Sequence, residues 1–89
     1  MDTNDIRVKV KELISNVTNI AVEDIADDAS FVEDLQLDSL SLLEIGVDVD
    51  YEYKLGVPEE ELGRLRTVAD AVDLVIRTIA AKTEAVKAA

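Results

Sequence analysis

Apolar residues recur at the spacing of an amphipathic helix in three stretches of the chain. The first stretch spans residues 5–18, the second spans residues 39–54, and the third begins after Thr67. The recurring positions are, in chain order, Ile6, Val10, Leu13, Ile14 and Val17; Leu42, Ile45, Val49 and Tyr53; and Val68, Ala71, Val72, Val75, Ile76 and Ile79. A period of three to four residues places each set on one helix face, which predicts three main helices that pack through these faces.

Two of these helices have a recognisable start. Thr3 or Asn4 is expected to cap the first helix, because short polar side chains accept the free backbone N–H groups of a first turn. Thr67 is followed three residues later by Asp70, a spacing typical of a capping box. We therefore expect the last helix to begin directly after Thr67.

A short acidic segment and a long loop complete the pattern. Gly56 predicts the end of the second helix, and residues 58–65 predict a short helix or turn with Leu62 and Leu65 directed inward. Residues 19–38 lose the helical period and are predicted to form a loop. Its isolated apolar residues are expected to hold it against the core: Ile20, Val22, Ile25, Ala29, Phe31, Val32 and Leu35.

The elements together predict an all-α fold of three main helices and a short third one, with a long loop between helices 1 and 2. The chain of 89 residues is long enough for one modest core and too short for a deep cleft between two lobes. We expect one domain over residues 1–89, with its core within about residues 5–80. Residues 81–89 are rich in alanine and are expected to fray.

The composition excludes several kinds of chemistry. The chain contains no cysteine and no histidine, which rules out a disulfide framework, a thiolate zinc site and the usual Ser-His-Asp or Cys-His machinery. We expect no metal site and no catalysis by the chain itself. No apolar run approaches the roughly 20 residues of a membrane span, and the N-terminus lacks the layout of a signal peptide, so a soluble cytoplasmic protein is expected.

Negative charge is concentrated in the middle of the chain. The formal net charge is −11, and residues 23–61 hold 14 of the 20 acidic residues against a single base, Lys54. Such a surface repels nucleic acid and anionic membranes and attracts basic protein partners. Solubility alone is the alternative explanation of the acidic residues. Their density favours partners, because crowded carboxylates destabilise a compact state by repulsion.

Ser39 stands where the long loop meets the second helix. Its hydroxyl is expected to lie beside free backbone N–H groups at the positive end of the helix dipole, where a phosphodiester is favoured. Local sequence leaves two capping roles open. Ser39 is itself a good N-cap, and Ser41 forms a capping-box pattern with Glu44.

Residues 31–40 read FVEDLQLDSL, and Leu43-Glu44 follows soon after. This string is similar to the modification site of the acyl carrier proteins of fatty-acid and polyketide synthesis, which the chain resembles over nearly its whole length. Further similar segments are VEDI at 22–25, ASF at 29–31, VPEEE at 57–61 and TV at 67–68. Asp-Ser-Leu alone is common by chance, but the combined string is specific.

The resemblance implies a covalent cofactor on Ser39. In that family this serine is esterified to 4′-phosphopantetheine, which a separate phosphopantetheinyl transferase takes from coenzyme A, and the arm's thiol carries an acyl group as a thioester. Asp38 matches the aspartate before the serine, while Leu40 and Glu44 match positions that face partners. A reactive sulfur supplied by the cofactor explains acyl chemistry in a chain without cysteine. We expect a monomeric carrier.

The second helix also predicts a recognition surface. With Leu42, Ile45, Val49 and Tyr53 directed inward, the outward side presents Leu40, Glu44, Val47, Asp48 and Tyr51. Together with Asp38 these side chains suit the basic docking surface of an acyl-loading or acyl-transfer enzyme. The stretch at 42–48 resembles carriers of specialised metabolism more than those of housekeeping fatty-acid synthesis.

Two residues depart from the expected pattern. Gln36 stands where the family has glycine, so the loop is expected to turn there without a positive φ. Gly46 lies inside the second helix, where glycine costs about 1 kcal/mol against alanine, and close approach of a partner or of the cargo is one explanation.

Two other functions compete with the acyl carrier. A peptidyl or aryl carrier of nonribosomal peptide assembly shares the fold and the arm, but the acidic second helix and the aspartate before the serine favour the acyl class. A small acidic calcium-responsive protein is the alternative of a different class. Asp48, Asp50, Glu52 and Glu59 match positions 1, 3, 5 and 12 of a calcium loop, but position 6 is Tyr53 where glycine is needed.

Overall fold

The computed structural model contains four α-helices, as predicted, and describes residues 2–88, with side chains through residue 81. The helices are α1 (Thr3–Thr18), α2 (Ser39–Tyr53), α3 (Glu59–Leu62) and α4 (Val68–Ala88), and a 3₁₀ turn spans Val22–Asp24. The expected frayed tail at 81–89 falls almost entirely outside the described side chains and stays a prediction. No helix in the described part of the chain is long and apolar enough to cross a membrane.

The core forms where α1, α2 and α4 pack against one another. The predicted stripes of the three helices supply most of it. Five of their residues are only half-buried against this core: Leu13, Val17, Tyr53, Ile76 and Ile79. The side chains with no exposed area are Val10, Ile14, Phe31, Ile45, Val49, Val68, Ala71 and Val75. Leu62 and Leu65 are buried as predicted, so the short α3 region is attached through its two inward leucines.

The helix ends partly differ from the predictions. Asp2 caps α1 by accepting the Asn4 N–H, so the expected cap at Thr3 or Asn4 was wrong by one to two residues. The capping box of α4 is confirmed, because Thr67 Oγ1 accepts the Asp70 N–H at 3.1 Å and Asp70 Oδ2 accepts the Thr67 N–H at 3.2 Å. Aspartate and asparagine rank alike as N-caps, and both rank above threonine, so cap preference alone did not decide between Asp2 and Asn4.

The end of α2 also lies earlier than predicted. Lys54, not Gly56, takes the left-handed conformation that ends the helix, with φ 51°. Gly56 follows with φ 72° in the connection to α3. Asp50 holds this connection, because its Oδ1 accepts the Val57 N–H at 2.9 Å.

The long loop is tied to the α3–α4 connection. The Phe31 N–H donates to the Arg66 carbonyl at 2.9 Å, and the Val68 N–H donates to the Ala29 carbonyl at 3.0 Å. Ile25, Ala29 and Phe31 are buried as predicted, whereas Val32 is 59% exposed and does not join the core. The loop therefore reaches Ser39 from a fixed position.

Gly46 has an internal role. It is buried on α2 directly against Leu62 of α3. A neighbouring helix in the same chain, and not a partner or cargo, therefore accounts for the glycine.

Candidate functional site

The candidate site begins with Asp38 and Ser39 at the start of α2. Asp38 is the N-cap, and its Oδ1 accepts the Ser41 N–H at 2.8 Å. Both capping roles considered for Ser39 and Ser41 were therefore wrong. Ser39 is the first helical residue and is exposed, so its hydroxyl is available for modification beside the positive end of the helix dipole.

Asp38 is held in its charged form. Hydrogen bonds from the Ser41 backbone N–H and hydroxyl lower the pKa of this carboxyl below its ordinary 3.8. A negative charge at an N-cap is stabilised by the free N–H groups and by the helix dipole. The site therefore presents a fixed carboxylate next to the serine at neutral pH.

The loop before the site turns through a positive φ. Gln36 has φ 55°, so the expectation that the chain would avoid this conformation was wrong. The turn is held by the Leu37 N–H, which donates to the Phe31 carbonyl at 2.9 Å, and by the Leu35 N–H, which donates to the Ser30 carbonyl at 3.0 Å. These bonds outweigh the cost of a left-handed non-glycine residue and fix the approach to Ser39.

The outward face of α2 carries the predicted recognition residues. Leu40 is 74% exposed and Val47 is 43% exposed. Glu44 is also exposed, whereas Asp48 is half-buried and less available than predicted. A depression of about 340 Å³ brings these four side chains together with Leu43. Asp38 does not line it and belongs to the end of the helix at Ser39.

A second depression starts at Ser39 itself. This groove, of about 460 Å³, runs between α2 and α3 and is lined by Ser39, Leu40, Leu43, Glu59 and Glu60 among others. Sequence analysis missed Leu43, Glu59 and Glu60 as site residues. Leu43 follows Ser39 by four residues and so lies on the same helix face, which the sequence could have indicated. Glu59 and Glu60 join the groove only because the fold places α3 beside α2.

The calcium-loop pattern is not formed as a loop. Asp48, Asp50 and Glu52 lie on α2, and Asp50 is engaged by the backbone of Val57. A continuous helix cannot wrap these carboxylates around one cation. Among the described residues, no group of three or more carboxylates is arranged to hold a metal ion.

Comparisons of the sequence and of the fold with known proteins agree on one family. The family described as "Phosphopantetheine attachment site" matches residues 8–75. The solved structure of an acyl carrier protein from Enterococcus faecalis aligns with a TM-score of 0.71 at 27% identity, covering 88% of this chain and 99% of that one.

Curated relatives agree with both matches. The meromycolate extension acyl carrier protein of Mycobacterium leprae is 39% identical over 79 residues, which is 89% of this chain and 69% of the relative. The acyl carrier protein of Rhodococcus erythropolis is 38% identical over 81 residues, covering 91% of this chain and 89% of the relative. With a four-helix fold and a family match that includes Ser39, the chain belongs to the acyl carrier proteins, which carry acyl groups on 4′-phosphopantetheine.

Proposed function

We propose that Ser39 is the residue that bears the phosphopantetheine arm. The observation that carries the proposal is the placement of its hydroxyl, which is exposed on the first turn of α2 directly after the Asp38 cap. Ser41 is the nearest competitor, but it is half-buried and its backbone N–H is bound by Asp38. The family string at residues 31–40 supports the same choice.

The surroundings of Ser39 suit this group. The positive end of α2 favours a phosphodiester on the first helical residue. The leucines Leu40 and Leu43 line the groove that begins there and provide apolar contact for an arm or its cargo. When bound, the group supplies a thiol that holds an acyl chain as a thioester.

The carrier works through partner enzymes. We infer that Asp38, Leu40, Glu44, Val47 and Asp48 form the surface that such enzymes recognise, with carboxylates steering encounter and exposed leucine and valine giving close fit. Their partners are a phosphopantetheinyl transferase and acyl-loading and acyl-transfer enzymes with basic docking surfaces. The chain itself performs no chemistry in this proposal, and a cytoplasmic location and a monomeric state stay predictions.

The carrier serves the acyl-transfer enzymes of fatty-acid-type biosynthesis. The relatives support this choice over peptidyl or aryl carriers, since those compared are named acyl carrier proteins. Several of them are named for meromycolate extension, and we propose a related lipid or polyketide pathway for this carrier.

Modification by a transferase tests the assignment. The purified chain is incubated with coenzyme A, magnesium and a phosphopantetheinyl transferase of broad specificity, and its intact mass is measured. Wild type and Ser41→Ala should gain one phosphopantetheine group, while Ser39→Ala should gain none. A mass gain in Ser39→Ala would overturn the assignment, and circular dichroism of each variant would confirm that it is folded.

A further inference from the structure

Two arginines lie on the connection between α3 and α4 in a strongly acidic protein. Arg64 and Arg66 are exposed and line a cleft of about 630 Å³ that is bounded on the loop side by Ser30 and Val32. Glu33 is the one acidic residue among those that line it. The cleft is therefore a positively charged place on a chain whose net charge is −11.

Neither arginine forms an ion pair within the part of the chain whose side chains the structure describes. Among residues 2–81, the side chains that form ion pairs with carboxylates include Arg7, Lys9, Lys11 and Arg77, whereas Arg64 and Arg66 form none. Arg64 also lines a neighbouring depression with Glu61, Asp70 and Asp73, and two of these three carboxylates have other partners. Asp70 accepts the backbone N–H groups of Arg66 and Thr67, and Asp73 pairs with Arg77.

The backbone that carries the arginines is fixed. The Arg66 carbonyl accepts the Phe31 N–H at 2.9 Å, and the Arg66 N–H donates to Asp70 at 3.2 Å. The Arg64 N–H donates to the Glu61 carbonyl at 3.1 Å. Two cations on a fixed backbone lose less conformational freedom on binding than two on a mobile loop.

The cleft adjoins the groove that begins at Ser39. Both depressions are lined by Leu42 and Gly63. A group tethered at Ser39 can therefore follow the protein surface from α2 past Gly63 to the arginines. Tethering gives an effective concentration on the order of millimolar, so a contact too weak to capture a free anion can hold a tethered one.

We propose that Arg64 and Arg66 bind the free carboxylate of a dicarboxylic acyl group carried on the arm at Ser39. This proposal rests on the proposed function. Guanidinium groups match the planar geometry of a carboxylate and form paired, charge-assisted hydrogen bonds with it. A carrier loaded with an acyl group that ends in a carboxylate makes this contact, whereas a carrier loaded with a neutral chain of the same length does not.

The charge of the tethered carboxylate provides the test. The chain is loaded from glutaryl-coenzyme A carrying carbon-13 at the free carboxyl, and loading at Ser39 is verified by intact mass. The apparent pKa of that carboxyl is then measured by NMR and compared with glutaryl-pantetheine free in the same buffer. Binding by two arginines should lower it by about 0.5, whereas an acidic surface without such a site should raise it.

Two double variants separate the site from net charge. Arg64→Gln with Arg66→Gln should bring the carboxyl pKa to or above the free value. Arg7→Gln with Lys9→Gln removes the same amount of charge from α1. This variant should keep most of the decrease in the carboxyl pKa. In a second measurement, glutaryl cargo should move the side-chain NMR signals of Arg64 and Arg66, and pentanoyl cargo should not.

The outcomes also separate this proposal from the proposed function. A wild-type chain that gains no mass overturns both. A loaded chain whose carboxyl pKa equals or exceeds the free value overturns the arginine site and leaves the carrier assignment intact. The same conclusion follows when the two double variants shift the pKa equally.

Discussion

Gly46 and Leu62 are in such close contact that a β-carbon added to residue 46 would lie 2.9 Å from Leu62 Cβ. The contact joins α2 to α3, the two helices between which the groove at Ser39 runs. Leu62 is only 2% exposed, so it has no room to withdraw. The glycine that weakens α2 as a helix is therefore what allows α3 to pack against it.

Gly46→Ala should destabilise the protein even though alanine favours helix. The helix propensity gain is about 1 kcal/mol, but overpacking a buried contact costs about 1–3 kcal/mol, so we expect a net loss of about 1 kcal/mol. Urea unfolding measures it. Leu62→Gly removes the Cβ that would be contacted, so it should show a coupling of at least about 0.5 kcal/mol with Gly46→Ala.

Gly63 offers a matched control for this substitution. A β-carbon there would lie no closer than 3.6 Å to its nearest neighbour, the Glu59 carbonyl oxygen, and its φ is −71°. Gly63→Ala should raise the free energy of unfolding by about 0.4–1 kcal/mol, because alanine takes this backbone conformation without strain and lowers the entropy of the unfolded chain. Equal effects of the two substitutions would show that contact with Leu62 is not what requires a glycine at residue 46.

Gln36 supplies a second test, because its φ of 55° is unfavourable for a residue with a side chain. Gln36→Gly should raise the free energy of unfolding by about 0.5 kcal/mol, since relief of strain exceeds the added entropy of the unfolded chain. Gln36→Val should lower it by about 1–2 kcal/mol, because a β-branched residue resists this conformation. Thermal melts of both variants show whether each substitution raises or lowers the stability of the protein.

Asn19 provides the comparison for Gln36. It has a similar φ of 62° at the end of α1, but asparagine tolerates the left-handed region. Asn19→Gly should therefore stabilise less than Gln36→Gly. Stabilisation of equal size at both positions would show that strain at Gln36 is not specific to its side chain.

The differences between sequence and structure share one physical origin. Leu42, Ile45 and Val49 were predicted as core because their helical period depends only on local spacing, and the structure confirms it. Gln36 takes a positive φ because hydrogen bonds to Ser30 and Phe31 fix its neighbours, and no local preference indicates this. The partner of Gly46 lies 16 residues away, where only tertiary packing can reveal it.

The lowered pKa of Asp38 predicts a pH dependence of stability. Its carboxylate is stabilised in the folded state by Ser41, so the contribution is present above the ordinary pKa of 3.8 and is lost as pH falls through the lower folded value. Asp38→Asn keeps a capping oxygen without the charge. The stability of wild type relative to Asp38→Asn should therefore fall as pH decreases from about 5 to about 2.

Asp38→Ala separates the cap from the charge. It removes both, so it should melt at a lower temperature than Asp38→Asn at pH 7. Melting curves across this pH range, read by helical circular dichroism, give both comparisons. If wild type and Asp38→Asn respond to pH in parallel, Asp38 is not held ionised by Ser41.

Glu44 tests whether partners dock on the outward face of α2. Glu44 is exposed beside Leu40 and Val47 on the depression that follows Ser39. Glu44→Lys should lower the kcat/KM of the transferase about tenfold at low salt, because charge reversal at an interface slows encounter with a basic partner. Raising the salt concentration should shrink the difference from wild type. Helical circular dichroism should stay unchanged, since Glu44 is outside the core.

Glu23→Lys is the matched control, because it makes the same change in net charge at another exposed position. Glu23 lies in the 3₁₀ turn that packs against α1, and this turn makes no contact with α2 in the described part of the chain. If charge reversal acts only through the overall field, both variants slow modification equally. A local docking face requires a larger effect at Glu44, so equal rates for the two variants at low salt would remove α2 as the place where the transferase binds.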